Sequence, residues 1–105
     1  MAILEKAVLA ILTIGSTHYV DIGQDTDAVI YYANDSRMHM VLPGGPQMNG
    51  DWHLLPNGYH VKWENGPEGD WKISHEPGVL TYIDGDGKSV GTVTRLVPGN
   101  PENFR

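Results

Sequence analysis

From Trp52 to Ile73 the apolar residues, Leu55 excepted, fall on every second position and lapse only at turn residues. Trp52 and Leu54 form one set, Tyr59, Val61 and Trp63 a second, Trp71 and Ile73 a third. A period of two marks strands with one buried face. Pro56-Asn57-Gly58 and residues 64–70 (ENGPEGD) separate the sets with turn chemistry. Taking Asn57-Gly58 as a two-residue loop puts Trp52 opposite Trp63 and Leu54 opposite Val61, with Tyr59 on the same side. His53, Leu55, His60 and Lys62 then occupy the other side, His53 and His60 as diagonal neighbours. A slip of one residue would mix the two faces, so the pattern constrains the register strongly. Pairing Trp63 with Trp71 extends the apolar face to a third strand and sets Ile73 opposite Val61 and His75 opposite Tyr59.

The rest of the chain follows the same grammar after one exception. Residues 2–13 carry apolar side chains at helical spacing (Ile3, Ala7, Ala10, Ile11, with Leu4, Val8 and Leu12 beside them), which predicts an amphipathic helix closed by Gly15. Strands are then expected at 17–21, 28–33, 37–42, 51–55, 59–64, from 71 onward, 79–83 and 88–97. Asp84-Gly-Asp-Gly-Lys88 resembles the start of a calcium loop but lacks the later ligands, so it reads as a tight turn. Pro98-Gly-Asn-Pro101 ends the regular structure, residues 98–105 form a C-terminal tail, and its last few residues read as frayed. The expected fold is mainly β, an antiparallel up-and-down meander of about eight strands forming a small barrel or curled sheet, with one N-terminal helix. At 105 residues the chain is one domain's worth, 1–105. Thirteen Gly and seven Pro fit many short elements joined by turns.

Charge and composition remove several classes of function. Thirteen acidic against seven basic side chains give a net charge of −6, a field that repels a phosphate backbone and an anionic membrane surface. There is no cysteine, hence no disulfide, thiolate catalysis or cysteine-ligated zinc. No segment has the roughly 18 apolar residues of a membrane span. The N-terminal run has a single basic residue, Lys6, beside Glu5, and no cleavage pattern follows, so the reading favours the cytoplasm; export would require a leader already trimmed.

The stretches Gly50-Asp-Trp52 and Gly69-Asp-Trp71 form a weak internal repeat. With the helix, Gly15-Ser-Thr17 and the return strand Tyr59 to Trp63, they make the chain resemble a group of uncharacterised small bacterial G-x-W β-meander domains, lipocalin-like in outline. The resemblance covers about residues 3–100 and implies a β-barrel; it brings no catalytic residue with it.

The chemistry-bearing residues are few. No nucleophile elbow, zinc-protease helix or phosphate loop is present, and Glu64 with Glu68 lie in a polar turn where water keeps carboxylates ordinary. The histidines read by default as solvated surface groups; His53 and His60 lack a third metal ligand nearby. His75 is the exception, falling on the apolar face. Met38 and Met40 share one face and, with Met48 and Tyr32, would wall any apolar cavity. The expected function is therefore non-enzymatic binding of a small apolar ligand at the barrel mouth, near Trp52, Tyr59, Trp63, Trp71 and His75, with no cofactor, metal or catalytic residue. The alternative is a structural or protein-interaction domain, a homodimer through the helix or first strands; a hydrolytic enzyme is the weaker third reading.

Overall fold

A computed structural model of the chain describes residues 2–105. The elements in chain order are β1 (Ala2–Ile3), α1 (Lys6–Thr13), β2 (Ser16–Asp21), β3 (Ala28–Tyr32), β4 (Arg37–Val41), β5 (Gln47–Leu55), β6 (Gly58–Trp63), β7 (Glu68–Glu76), β8 (Val79–Ile83) and β9 (Ser89–Pro98). Each strand from β2 to β9 pairs antiparallel with the next, and β9 returns to pair with β2. The result is a closed eight-stranded up-and-down barrel, which leaves none of those strands as a free edge along its whole length. The two-residue β1 is the extra strand; it pairs with Ser74 and His75 of β7, beyond the stretch that β6 covers.

The expected helix over 2–13 is shorter in fact. Ala2–Ile3 are extended and only Lys6–Thr13 are helical. Leu9 is the helix's fully buried apolar residue and joins the barrel core that also holds Tyr32, Trp52 and Ile73. Gly15 leaves the helix at a φ of +77°, and its N–H bonds the carbonyl of Tyr32 at 2.7 Å. That left-handed conformation explains the glycine.

The β5–β6 hairpin keeps its expected faces but not its register. Trp52 pairs with Val61, His53 with His60 and Gly50 with Trp63. The loop is Pro56-Asn57, one residue earlier than expected, and neither Asn57 nor Gly58 takes a positive φ. Proline fixes the first turn position, while Gly58 is needed for another reason: a Cβ there would stand 2.2 Å from the Trp71 carbonyl oxygen. The shift is by two residues across the pair, so it preserves parity, and Trp52, Tyr59, Val61 and Trp63 still share the interior. The next pairing is shifted further, with Tyr59 opposite Trp71 rather than His75. Gly50 of the first G-x-W unit faces Trp63, whose ring carbon would lie 2.8 Å from an added Cβ. In the second unit a Cβ at Gly69 would meet nothing within 4 Å. The repeat in sequence is thus no repeat in packing.

The tail is not frayed. Phe104 is buried, stacks on Tyr31 and His39 on the outer wall, and is held by reciprocal bonds with Asn100. Asp84 closes the last hairpin by accepting from the N–H groups of Asp86 and Lys88, as a turn aspartate does.

Candidate functional site

The inward side chains Tyr32, Trp52, Val61 and Ile73, with Leu9 of α1, fill only part of the barrel. The other part encloses a cavity of about 300 Å³. Its wall is almost wholly carbon and sulfur: Val20, Ile22, Ala28 and Ile30 from the β2–β3 side, Met38, Met40, Leu42 and Met48 from β4 and β5, then Tyr59, Trp63, Pro67, Trp71, Tyr82 and Val90. The volume sits at the lower limit of ordinary ligand pockets, and an apolar cavity of half that size already holds a benzene molecule. The cavity lies toward the end opposite α1. The four connections there, 22–27, 42–46, 64–67 and 84–88, bring Asp25, Asp27, Glu64, Asp84 and Asp86 and a single cation, Lys88.

Three of the five expected site residues line this space. Tyr59 and Trp63 are buried in its wall and Trp71 is half-buried. Trp52 does not line it. That ring is 2% exposed, packs on Tyr32 and Tyr59, and donates its indole N–H to the Asn34 carbonyl at 2.9 Å, at the helix end. His75 is a correction. It lies near the C-terminal end of β7, paired with Ala2 and Leu80, is exposed, and borders a shallow outer groove with Val79 and Leu96. The four-residue displacement between expected and observed β6–β7 pairing carried it away from Tyr59. The three methionines do form cavity wall.

At the inner end of the cavity is a polar chain that pattern reading missed. The Nε2 of His18 lies 2.8 Å from the carbonyl of Leu12 in α1. Its Nδ1 is 2.7 Å from the Tyr82 hydroxyl, which is 2.6 Å from that of Tyr32. Tyr32 donates to the Tyr59 hydroxyl at 3.2 Å. His18 is 0% exposed, so the default reading of a solvated surface group fails for it, as it does for the buried His39, whose Nδ1 meets Asn49 at 2.7 Å. The signal was available: His18 has the inward parity of Val20. Burial lowers the His18 pKa from its ordinary value, against a smaller opposing effect of the Leu12 hydrogen bond. Burial raises the phenols of Tyr32, Tyr59 and Tyr82 well above theirs, so all three are neutral hydrogen-bonding groups.

The outer wall offers less. His60 stands beside His53, with ring centroids 5.4 Å apart, and bonds Asp70 at 2.6 Å and Glu68 at 2.9 Å. These bonds raise its pKa, Asp70 most. Among the described residues no cluster of His, Asp and Glu has the arrangement to hold a metal ion, and no helix is long and apolar enough to cross a membrane. No family model, no curated protein and no solved structure matches this chain.

Proposed function

We propose that the chain is a non-enzymatic binding module that takes a small apolar ligand into the mouth of its barrel. The observation that carries this reading is the cavity of about 300 Å³, walled by Met38, Met40, Met48, Trp63 and Trp71 and left open where side chains could have filled it. Barrels of eight strands are just wide enough for side chains to fill, so space left at one end alone is a property of these residues and not of the fold. Flexible thioethers adapt to guests of different shape. Titration with an apolar fluorescent dye should give saturable, one-to-one quenching of tryptophan emission, and Met48→Trp should abolish it by filling the space. Quenching that never saturates, or that survives Met48→Trp unchanged, rejects the proposal.

A second reading, a homodimer, rests on α1. Its outer side leaves Val8, Ile11 and Ile14 in solvent, Ile11 at 79% exposure. Two copies packed through this side would cover it, and sedimentation over a range of concentrations should then show a mass that rises toward two chains. A constant single-chain mass rejects it. Ile11→Glu should abolish any such rise.

A further inference from the structure

We propose that the outer wall carries a docking surface separate from the cavity, at the unpaired edge of β9 near α1, and that it takes an extended, acidic peptide segment as an added strand. The seam between β8 and β9 is closed over only part of its length. Thr81 pairs with Thr92, Tyr82 with Gly91 and Ile83 with Ser89. Beyond Thr92 the two strands part. Val79 and Leu80 follow β7, while residues 95–98 follow β2. Residues 95–98 thus have a neighbouring strand on one side and none on the other among the described residues. A groove opens between the parted strands, with Gly78, Val79 and Leu80 on one bank and residues 93–96 on the other.

The register fixes which backbone groups face the groove. The Gly99 N–H bonds the Gly15 carbonyl at 2.7 Å, one step beyond the pairing of Ser16 with Pro98. Hydrogen-bonding direction alternates along an antiparallel strand, so Val97 and Arg95 turn their N–H and C=O groups toward β2. Leu96 turns both of its groups the other way, toward the groove, and Pro98 adds a carbonyl but no N–H. The tail does not cover them. It crosses on the side of β2, where Tyr19 donates to Glu102 and Phe104 stacks on Tyr31 and His39. Elsewhere the chain itself shows what such an edge accepts: where β6 stops, Ala2 and Ile3 lie down on β7 as a short strand opposite His75 and Ser74.

Three features specify the occupant. An extended backbone offers a carbonyl to the Leu96 N–H and an N–H to the Leu96 carbonyl, whereas a helix has spent those groups internally and a hydrocarbon has none. Leu12, Val79, Leu80, Val93 and Leu96 line the groove, so apolar side chains at alternate positions of a bound strand find apolar neighbours. The charged or titratable side chains in the lining are Arg95 and His75, with no carboxylate, although the chain as a whole carries −6. The Arg95 guanidinium stands 4.1 Å from the centre of the Tyr19 ring, which holds it beside the edge. The charge complementary to this groove is negative.

The test follows backbone amides by NMR in the full, isotope-labelled chain, with acetyl-Thr-Val-Glu-Val-Thr-amide as the probe. In the free chain the Leu96 N–H should exchange with solvent much faster than that of Val97, which is bonded to β2. The peptide should give saturable shifts at Leu80, Thr94 and Leu96 and slow Leu96 exchange by roughly tenfold or more. An analogue methylated on every backbone nitrogen should not bind. Glutamine in place of the peptide's glutamate, or Arg95→Gln in the chain, should weaken binding roughly two- to fivefold, and the two changes together no further. Met48→Trp, which fills the cavity, should leave peptide binding unchanged, so this proposal and the ligand-binding reading fail separately. Absence of saturable shifts at about 5 mM peptide, or equal binding of the methylated analogue, overturns the proposal. So does a Leu96 amide already protected in the free chain. Protection that grows with protein concentration would instead assign the edge to a second copy and overturn the peptide as its occupant.

Discussion

At the helix end of the barrel Leu9, Trp52 and Tyr32 are packed to near-zero exposure and the buried polar side-chain atoms among the described residues have partners, whereas at the mouth Met40, Met48 and Trp71 are only partly buried around open space. The same strands build both ends, with the same alternation. What differs is closure: α1 and short turns seal one end, and longer connections rich in Asp, Gly and Pro leave the other ajar. The contrast divides labour. Stability should reside at the sealed end and adaptability at the mouth.

The largest test of this division is to truncate equivalent aromatic residues. Trp52→Ala should destabilise the chain by about 3–5 kcal/mol in urea unfolding, since it opens a cavity in the core and removes the indole bond to the Asn34 carbonyl. Trp71→Ala, at the mouth, should cost less, because the ring is only partly buried and borders space that is already open. Equal losses would break the comparison. Next in size is Tyr32→Phe, which keeps the packing but cuts the middle of the polar chain. It should cost about 1–3 kcal/mol, since the Tyr59 hydroxyl then loses its partner and Tyr82 loses one of two.

The alternation that revealed the interior also limited what could be read from it. Parity depends on a residue's neighbours two places away, so the inward set Trp52, Tyr59, Val61, Trp63, Trp71 and Ile73 was legible. Register depends on which turn residues close the hairpin and on contacts across the sheet, such as the approach of Gly58 to the Trp71 carbonyl. Those contacts join residues remote in sequence, and so Trp52 and His75 were placed at the wrong end relative to the cavity. The polar chain was harder still. His18, Tyr32, Tyr59 and Tyr82 come from four strands, and only barrel closure through β2 and β9 brings His18 near Tyr82. The Phe104 stack was hidden for a like reason: a polar tail gives no periodic signal, and a single aromatic near its end suffices to dock it.

A smaller effect concerns pH, where inside and outside take opposite signs. Burial lowers the folded-state pKa of His18 below the ordinary 6.5. The unfolded chain thus binds this proton more readily, and stability rises with pH. The contribution is intact above about pH 6.5 and is lost as pH falls from there toward the folded value. Urea midpoints measured between about pH 8 and about pH 5 should decline on the acid side, and His18→Gln should flatten that decline. A wild-type chain as stable at the acid limit as at neutrality would show that the buried imidazole is accommodated as a cation without cost.

The smallest effect is expected at His60, outside the barrel. There the carboxylates of Asp70 and Glu68 raise the pKa, so the folded chain holds the proton more tightly than the unfolded one. Its contribution to stability is complete below about pH 6.5 and disappears as pH climbs through the raised folded value. Both carboxylates are more than half exposed, and water and salt screen exposed pairs. Asp70→Asn should therefore bring the His60 midpoint, followed by NMR of its ring protons, back toward 6.5 without displacing the urea midpoint. His18, titrated in the same spectra, should not move, because the two imidazoles lie on opposite sides of the wall. A coupled shift of both would mean that the wall transmits charge between its faces, and the separation of a packed interior from a solvated exterior, on which the division between sealed end and open mouth rests, would have to be abandoned.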